Sequence, residues 1–136
     1  MTTFTGGCLC GRVRYSTEAA PAFSGVCHCR DCQRATGSAF APVLAFPKAE
    51  VRIEGVLTTY QGTGDSGKPI WRSFCPNCGS GVCDEVAIMP GVLMILAGTL
   101  DDPAAFQPTM DVYWSSAHPW LKAEGSRPHF AEMPPA

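Results

Sequence analysis

Apolar and polar positions alternate with a period of two in several short stretches. Val13 and Tyr15 alternate with Arg12 and Arg14, and Val51 and Ile53 alternate with Arg52 and Glu54. Such alternation predicts half-buried strands. Residues 39–46 form a mostly apolar run that stops at Pro47, the pattern of a buried strand. Residues 57–60, 70–74, 92–97 and 110–114 predict further short strands. Turn signals separate them at Gly55, 62–69, 76–81, Pro90-Gly91 and Asp101-Asp102-Pro103. Helix is scarce: residues 30–36 predict one short turn ahead of Gly37, and 103–106 another. From Ser115 onward the chain is Pro-rich and is expected to pack as an irregular tail or to fray. Many short strands with turns between them predict an all-β, sandwich-like domain.

The chain has 136 residues, the length of one domain, with its core expected over about residues 5–122. Charged residues make up 16% and the net charge is −2, which gives no basic excess for nucleic acid or an anionic membrane. The longest apolar runs, 40–46 and 92–97, fall far short of the roughly 18–20 residues of a membrane span. The start of the chain carries no basic segment followed by an apolar one, so the expected location is cytoplasmic. In a reducing compartment, the eight cysteines are expected to bind metal or do chemistry rather than pair as disulfides.

Seven of the eight cysteines fall in three tight groups: Cys8-Leu9-Cys10, Cys27-His28-Cys29-Arg30-Asp31-Cys32 and Cys75-Pro76-Asn77-Cys78. Zinc takes four ligands in a tetrahedron, commonly as two clips distant in sequence. Cys75 to Gly79 has the form of a zinc knuckle, and Cys8 to Gly11 is a tighter clip also followed by Gly. Pairing these gives a closed four-thiolate site of the structural kind. Cys27, Cys29 and Cys32 then remain together on one loop, able to hold a second zinc with a fourth position open, as a catalytic zinc needs. Counting alone leaves other partitions open, including a second site closed by Cys83 or His28. Cys83 reads as a small buried hydrophobe. His28 could bind metal, move a proton or hydrogen-bond a carbonyl. His118 and His129 read as surface or tail-packing residues.

The stretch Gly62-Thr63-Gly64-Asp65-Ser66-Gly67-Lys68 fits the spacing of nucleotide-binding glycine loops. Pro69 stands where the magnesium-binding hydroxyl is needed, and a strand pattern follows instead of a helix, so it reads as a Gly-rich turn. Lying near the metal, such a turn could shape substrate entry.

Three blocks of the chain resemble the glutathione-dependent formaldehyde-activating family, also called the centromere protein V-like family. They are Gly7-Cys8-Leu9-Cys10-Gly11-Arg12-Val13-Arg14-Tyr15, the run from Cys27 to Phe40, and Arg72-Ser73-Phe74-Cys75-Pro76-Asn77-Cys78-Gly79-Ser80, joined by a late segment with Pro119-Trp120. The resemblance implies a β-tent of packed antiparallel sheets stapled by two zinc ions. It implies structural zinc on Cys8, Cys10, Cys75 and Cys78, and catalytic zinc on Cys27, Cys29 and Cys32. It also implies a carbon–sulfur lyase acting on S-(hydroxymethyl)glutathione, with glutathione or another small thiol as partner. Arg30 and Arg34 are expected to offset the thiolate charge or hold a glutathione carboxylate. Gln33, Thr36 and Ser38 are expected to donate to sulfur or to a peptide-like substrate. The alternative is a carrier that binds the thiol without chemistry. A chromatin-type scaffold, suggested by the centromere branch, would want a long basic extension that this sequence lacks.

Overall fold

The computed structural model describes residues 3–122 and 127–135. Its strands are β1 (Phe4–Gly7), β2 (Arg14–Thr17), β3 (Phe23–Cys27), β4 (Ala41–Pro47), β5 (Arg52–Glu54), β6 (Thr58–Thr63), β7 (Pro69–Phe74), β8 (Gly81–Val86), β9 (Val92–Leu96) and β10 (Met110–Val112). The helix α1 spans Arg30–Thr36, and four single 3₁₀ turns complete the set. One sheet runs β1-β2-β5; the other, of seven strands, runs β10-β3-β4-β9-β8-β7-β6. Every pair is antiparallel except β10 with β3, which is parallel. The fold is therefore the expected packed β-architecture, with one parallel edge.

The core lies between the two sheets. Phe4 and Tyr15 from the small sheet, with Val13 just before β2, meet Leu44, Phe46, Val82, Leu93 and Ile95 from the large one. The Phe4 and Phe46 rings stand 5.1 Å apart at a tilt. β4 is central in its sheet and buried on both faces, so it shows a continuous apolar run rather than alternation. The 3₁₀ turn Ala97–Thr99 comes close to β1 at Gly6: a Cβ there would lie 2.3 Å from the Thr99 carbonyl oxygen and from the hydroxyl of Tyr15 on the paired strand.

The described part of the tail after β10 packs against the domain. Residues 127–132 run alongside β10, with a parallel bridge between Asp111 and His129. The Asp111 amide donates to the Pro128 carbonyl at 3.0 Å, and the Phe130 amide donates back to Asp111 at 2.9 Å. A buried aspartate and a stacked histidine give this segment a fixed seat that its proline content hides. Residues 123–126 of the expected tail lie outside the described residues.

Candidate metal centre

Two hairpin turns face each other at one end of the molecule. The β1–β2 turn carries Cys8 and Cys10, and the β7–β8 turn carries Cys75 and Cys78. Gly11 and Gly79 take positive φ (82° and 78°), closing each clip with an amide-to-carbonyl bond back to the first cysteine. A register shift at Ser73/Phe74 turns β7 into its clip just before Cys75. The Leu9 amide donates to Ser80 Oγ at 3.1 Å and joins the two turns.

The four sulfur atoms lie within 4.8 Å of one another. Cys8 and Cys10 Sγ are 3.6 Å apart, and Cys10 and Cys75 Sγ 3.8 Å. Tetrahedral zinc–thiolate bonds of about 2.3 Å imply sulfur–sulfur distances of about 3.8 Å, so the set fits zinc. The Val13 amide donates to Cys8 Sγ at 3.2 Å. The Ser80 hydroxyl and amide hold the Cys78 thiol down to about 5.

The second group sits where β3 runs into α1. Cys27, Cys29 and Cys32 place their sulfurs within 4.8 Å of one another. Cys29 caps α1, its sulfur accepting the Cys32 amide at 3.3 Å, and Gly37 ends the helix at φ 68°. The crowded thiols compete for charge. Hydrogen bonds from Cys27 and Cys32 hold the Cys29 thiol down to about 2. Cys27 is pushed up to about 12, chiefly by Cys29, and Cys32 is pushed up by both neighbours. Three thiolates at this spacing need a cation among them, and this donor set suits zinc. Among the described residues these are the two groups arranged to hold a metal ion.

Between the outward thiols of Cys27 and Cys29, the His28 side chain points inward and is buried. Its Nε2 lies 2.8 Å from Asp111 Oδ1, and Arg127 Nε donates to Asp111 Oδ2 at 2.6 Å. Burial alone would raise the Asp111 carboxyl; the bonds from Arg127 and His28 outweigh it and hold the group below the usual carboxylate range. Trp114 packs edge-on against His28 (4.7 Å) and stacks on His129 (4.5 Å). His28 thus anchors the loop from beneath.

The expected substrate-contact residues separate into two sets. Gln33 is buried and donates to the carbonyls of His28 (2.7 Å) and Ser116 (2.9 Å). Arg30 and His118 donate to its Oε1. Thr36 Oγ1 donates to the Cys32 carbonyl at 2.7 Å and accepts the Ser38 amide, finishing the helix. Ser38 itself is exposed. Arg34 is exposed and lines a cavity of about 350 Å³ with Asp31, Tyr60 and Arg72. A neighbouring cavity of about 320 Å³ is lined by Cys32, Thr36, Arg72, Phe74 and Asp84 among others, so the three-thiol group borders it through Cys32. Both lie in the lower range of small-ligand sites.

Cys83 lies in the core, where burial pushes its thiol up to about 12. Sequence reasoning did not single out Arg72, Asp84, Asp111, Tyr113 or Arg127. Tyr113 is the sole non-glycine residue with positive φ (54°) among the described residues. Burial, then Asp65 of the Gly-rich turn, then the charge of Cys27 and Cys29, push its hydroxyl up to about 12. Strain of that kind clusters at functional sites.

The model of the glutathione-dependent formaldehyde-activating enzyme family matches residues 3–116, from β1 through the turn after β10. The chain belongs to that family. The matched region contains both cysteine groups, and the activity named for the family is glutathione-dependent activation of formaldehyde. A solved crystal structure of a Rhodobacter sphaeroides protein, a structural-genomics target, shares the fold: TM-score 0.58 at 23% identity, covering 74% of this chain and 93% of that one. No curated protein matches the chain. Among the described residues of this family member, no helix is long and apolar enough to cross a membrane.

Proposed function

We propose that the protein is a zinc-dependent carbon–sulfur lyase that joins and cleaves a small thiol and an aldehyde, with S-(hydroxymethyl)glutathione as the adduct. One observation carries the reading: among the described residues three thiols gather without a fourth, and one of them, Cys32, lines a cavity. Cys8, Cys10, Cys75 and Cys78 complete a closed set and serve as the structural site.

Zinc held by Cys27, Cys29 and Cys32 would supply a Lewis acid that lowers the pKa of the substrate thiol toward neutrality. The chain's own part is placement. Cys32 and Thr36 line the wall where the substrate sulfur meets the aldehyde carbon. In the joining direction the sulfur pair forms the carbon–sulfur bond. The carbonyl π pair moves to oxygen, and that oxygen takes the proton the thiol released. Cleavage reverses each movement. His28, Gln33 and Asp111 keep the loop rigid from below. Arg34, exposed on the adjoining cavity, is suited to a substrate carboxylate.

The test is exchange NMR on formaldehyde and glutathione with and without zinc-loaded protein. The expected result is exchange well above the spontaneous rate, reduced at least roughly a hundredfold by Cys32→Ser in a folded protein. Unchanged exchange, with zinc content verified, would overturn the lyase reading in favour of the thiol carrier.

A further inference from the structure

We propose that Arg72 and Asp84 form the binding site for the α-amino-acid head of the thiol substrate, Arg72 taking its carboxylate and Asp84 its ammonium. The inference rests on the thiol-lyase reading and deepens it by naming what holds the far end of the substrate.

The two residues are cross-strand partners. β6, β7 and β8 align Tyr60, Arg72 and Asp84 in one row across the sheet. Residues in such a row share a face. Arg72 and Asp84 both line the cavity that Cys32 lines, and Arg72 also lines the adjoining one. A Cβ built on Gly62 would lie 3.5 Å from Arg72 Nη1, so the guanidinium lies over a position that carries no side chain.

Both groups are uncommitted within the protein. Asp101 closes onto Arg14, Glu85 onto Lys48 and Asp111 onto Arg127, whereas Asp84 faces the cavity beside Arg72 without closing onto it. Among the described residues, neither Arg72 nor Asp84 makes a side-chain hydrogen bond or an ion pair, although they are neighbours. Asp84 is not sealed away either. Among the described residues, the Asp84 oxygens are not among the side-chain atoms sealed from solvent without a hydrogen bond. The Asp84 oxygens therefore have access to the cavity. Burial without a partner pushes its carboxyl up to about 6 against the pull of Arg72, consistent with a site completed by an incoming cation.

The pairing of signs selects the ligand. A bare carboxylate is attracted by Arg72 and repelled by Asp84; a bare amine meets the reverse. A group with both charges on one carbon satisfies both residues. Glutathione carries one such group, at its γ-glutamyl end, with the thiol in the middle and a lone carboxylate at the other end. The γ-glutamyl head then sits on Arg72 and Asp84 while the sulfur reaches the Cys32 loop.

Titration calorimetry of the zinc-loaded protein tests this with two probes that lack a free thiol, S-methylglutathione and N-acetyl-S-methylglutathione. The wild type is expected to bind the acetylated probe roughly tenfold or more weakly, because its nitrogen bears no charge. Asp84→Asn is expected to weaken S-methylglutathione about tenfold and to narrow the gap between the probes. Arg72→Leu is expected to weaken both probes, with Arg72→Lys recovering part of the loss. Equal binding of the two probes by the wild type, or no binding of S-methylglutathione, would overturn the proposal without any variant having to fold. Either result leaves the lyase reading standing, since that is judged by exchange acceleration and Cys32→Ser. Discrimination between the probes without acceleration would leave the head-group site in place and remove the lyase.

Discussion

Asp84 illustrates a residue kept at a cost to stability. In the unfolded chain its carboxyl ionises near 3.9. In the folded protein burial raises that to about 6. The folded state therefore binds the proton more tightly, and ionisation disfavours folding. The penalty is absent below about pH 4, grows as pH rises through the interval to 6, and is full above it. Asp84→Asn is accordingly expected to stabilise the zinc-loaded protein by up to about 3 kcal/mol at pH 7.5, with the gain fading by about pH 4. Denaturant melts at several pH values check this; a gain that grows toward acid would contradict it. Neither Asp84 nor Arg72 stood out in the sequence. Their significance comes from the β7–β8 register, which is a non-local fact. The thiols were legible because their spacing is local, and Asp111 was not, because its partners are His28 and Arg127 from distant parts of the chain.

At the scale of elements, strands with a clear burial pattern were legible. The apolar run at 39–46 is β4, and the alternation around Val13 and Tyr15 marks β2. The short turn at residues 30–36 is α1, closed by Gly37. β1, β3 and β8 gave no signal. β1 is half glycine, and β3 interrupts its apolar residues with Ser24 and Gly25. β8 buries the adjacent Val82 and Cys83, which breaks the period of two. The parallel β10 and the chain beside it depend on the Asp111 cluster. Arg127→Ala would leave the buried Asp111 with the imidazoles of His28 (2.8 Å) and His129 (3.2 Å) and without its permanent cation. The expected loss is roughly 2–4 kcal/mol, short of the full cost of a sealed pair because Arg127 is 31% exposed. Thermal melts measure it, and an unchanged midpoint would show that the segment contributes nothing to the fold. Gly37→Ala forces a side chain into the left-handed region and is expected to cost about 1 kcal/mol, also read from the midpoint.

At the scale of the whole molecule, the four-thiol group joins the small sheet to the large one. Cys8 and Cys75 are buried members of the same core as Phe4 and Phe46. Cys75→Ser, or stripping zinc with a strong chelator, is expected to unfold the protein cooperatively, seen as loss of near-ultraviolet circular dichroism. Cys32→Ser is expected to leave that signal intact while removing the acceleration of exchange over the spontaneous rate. Equal collapse of both variants would contradict the division into structural and catalytic sites.

The Asp111 cluster also has a meaning in time. Its members are separated along the chain: His28 and Asp111 by 83 positions, with Arg127 a further 16 beyond. At synthesis rates of about 5–20 residues per second, Asp111 is made roughly 4–17 seconds after His28. For that interval the nascent chain displays Cys27, Cys29 and Cys32 without the foundation that fixes them. The order of manufacture thus separates the appearance of the thiols from the moment their loop becomes rigid.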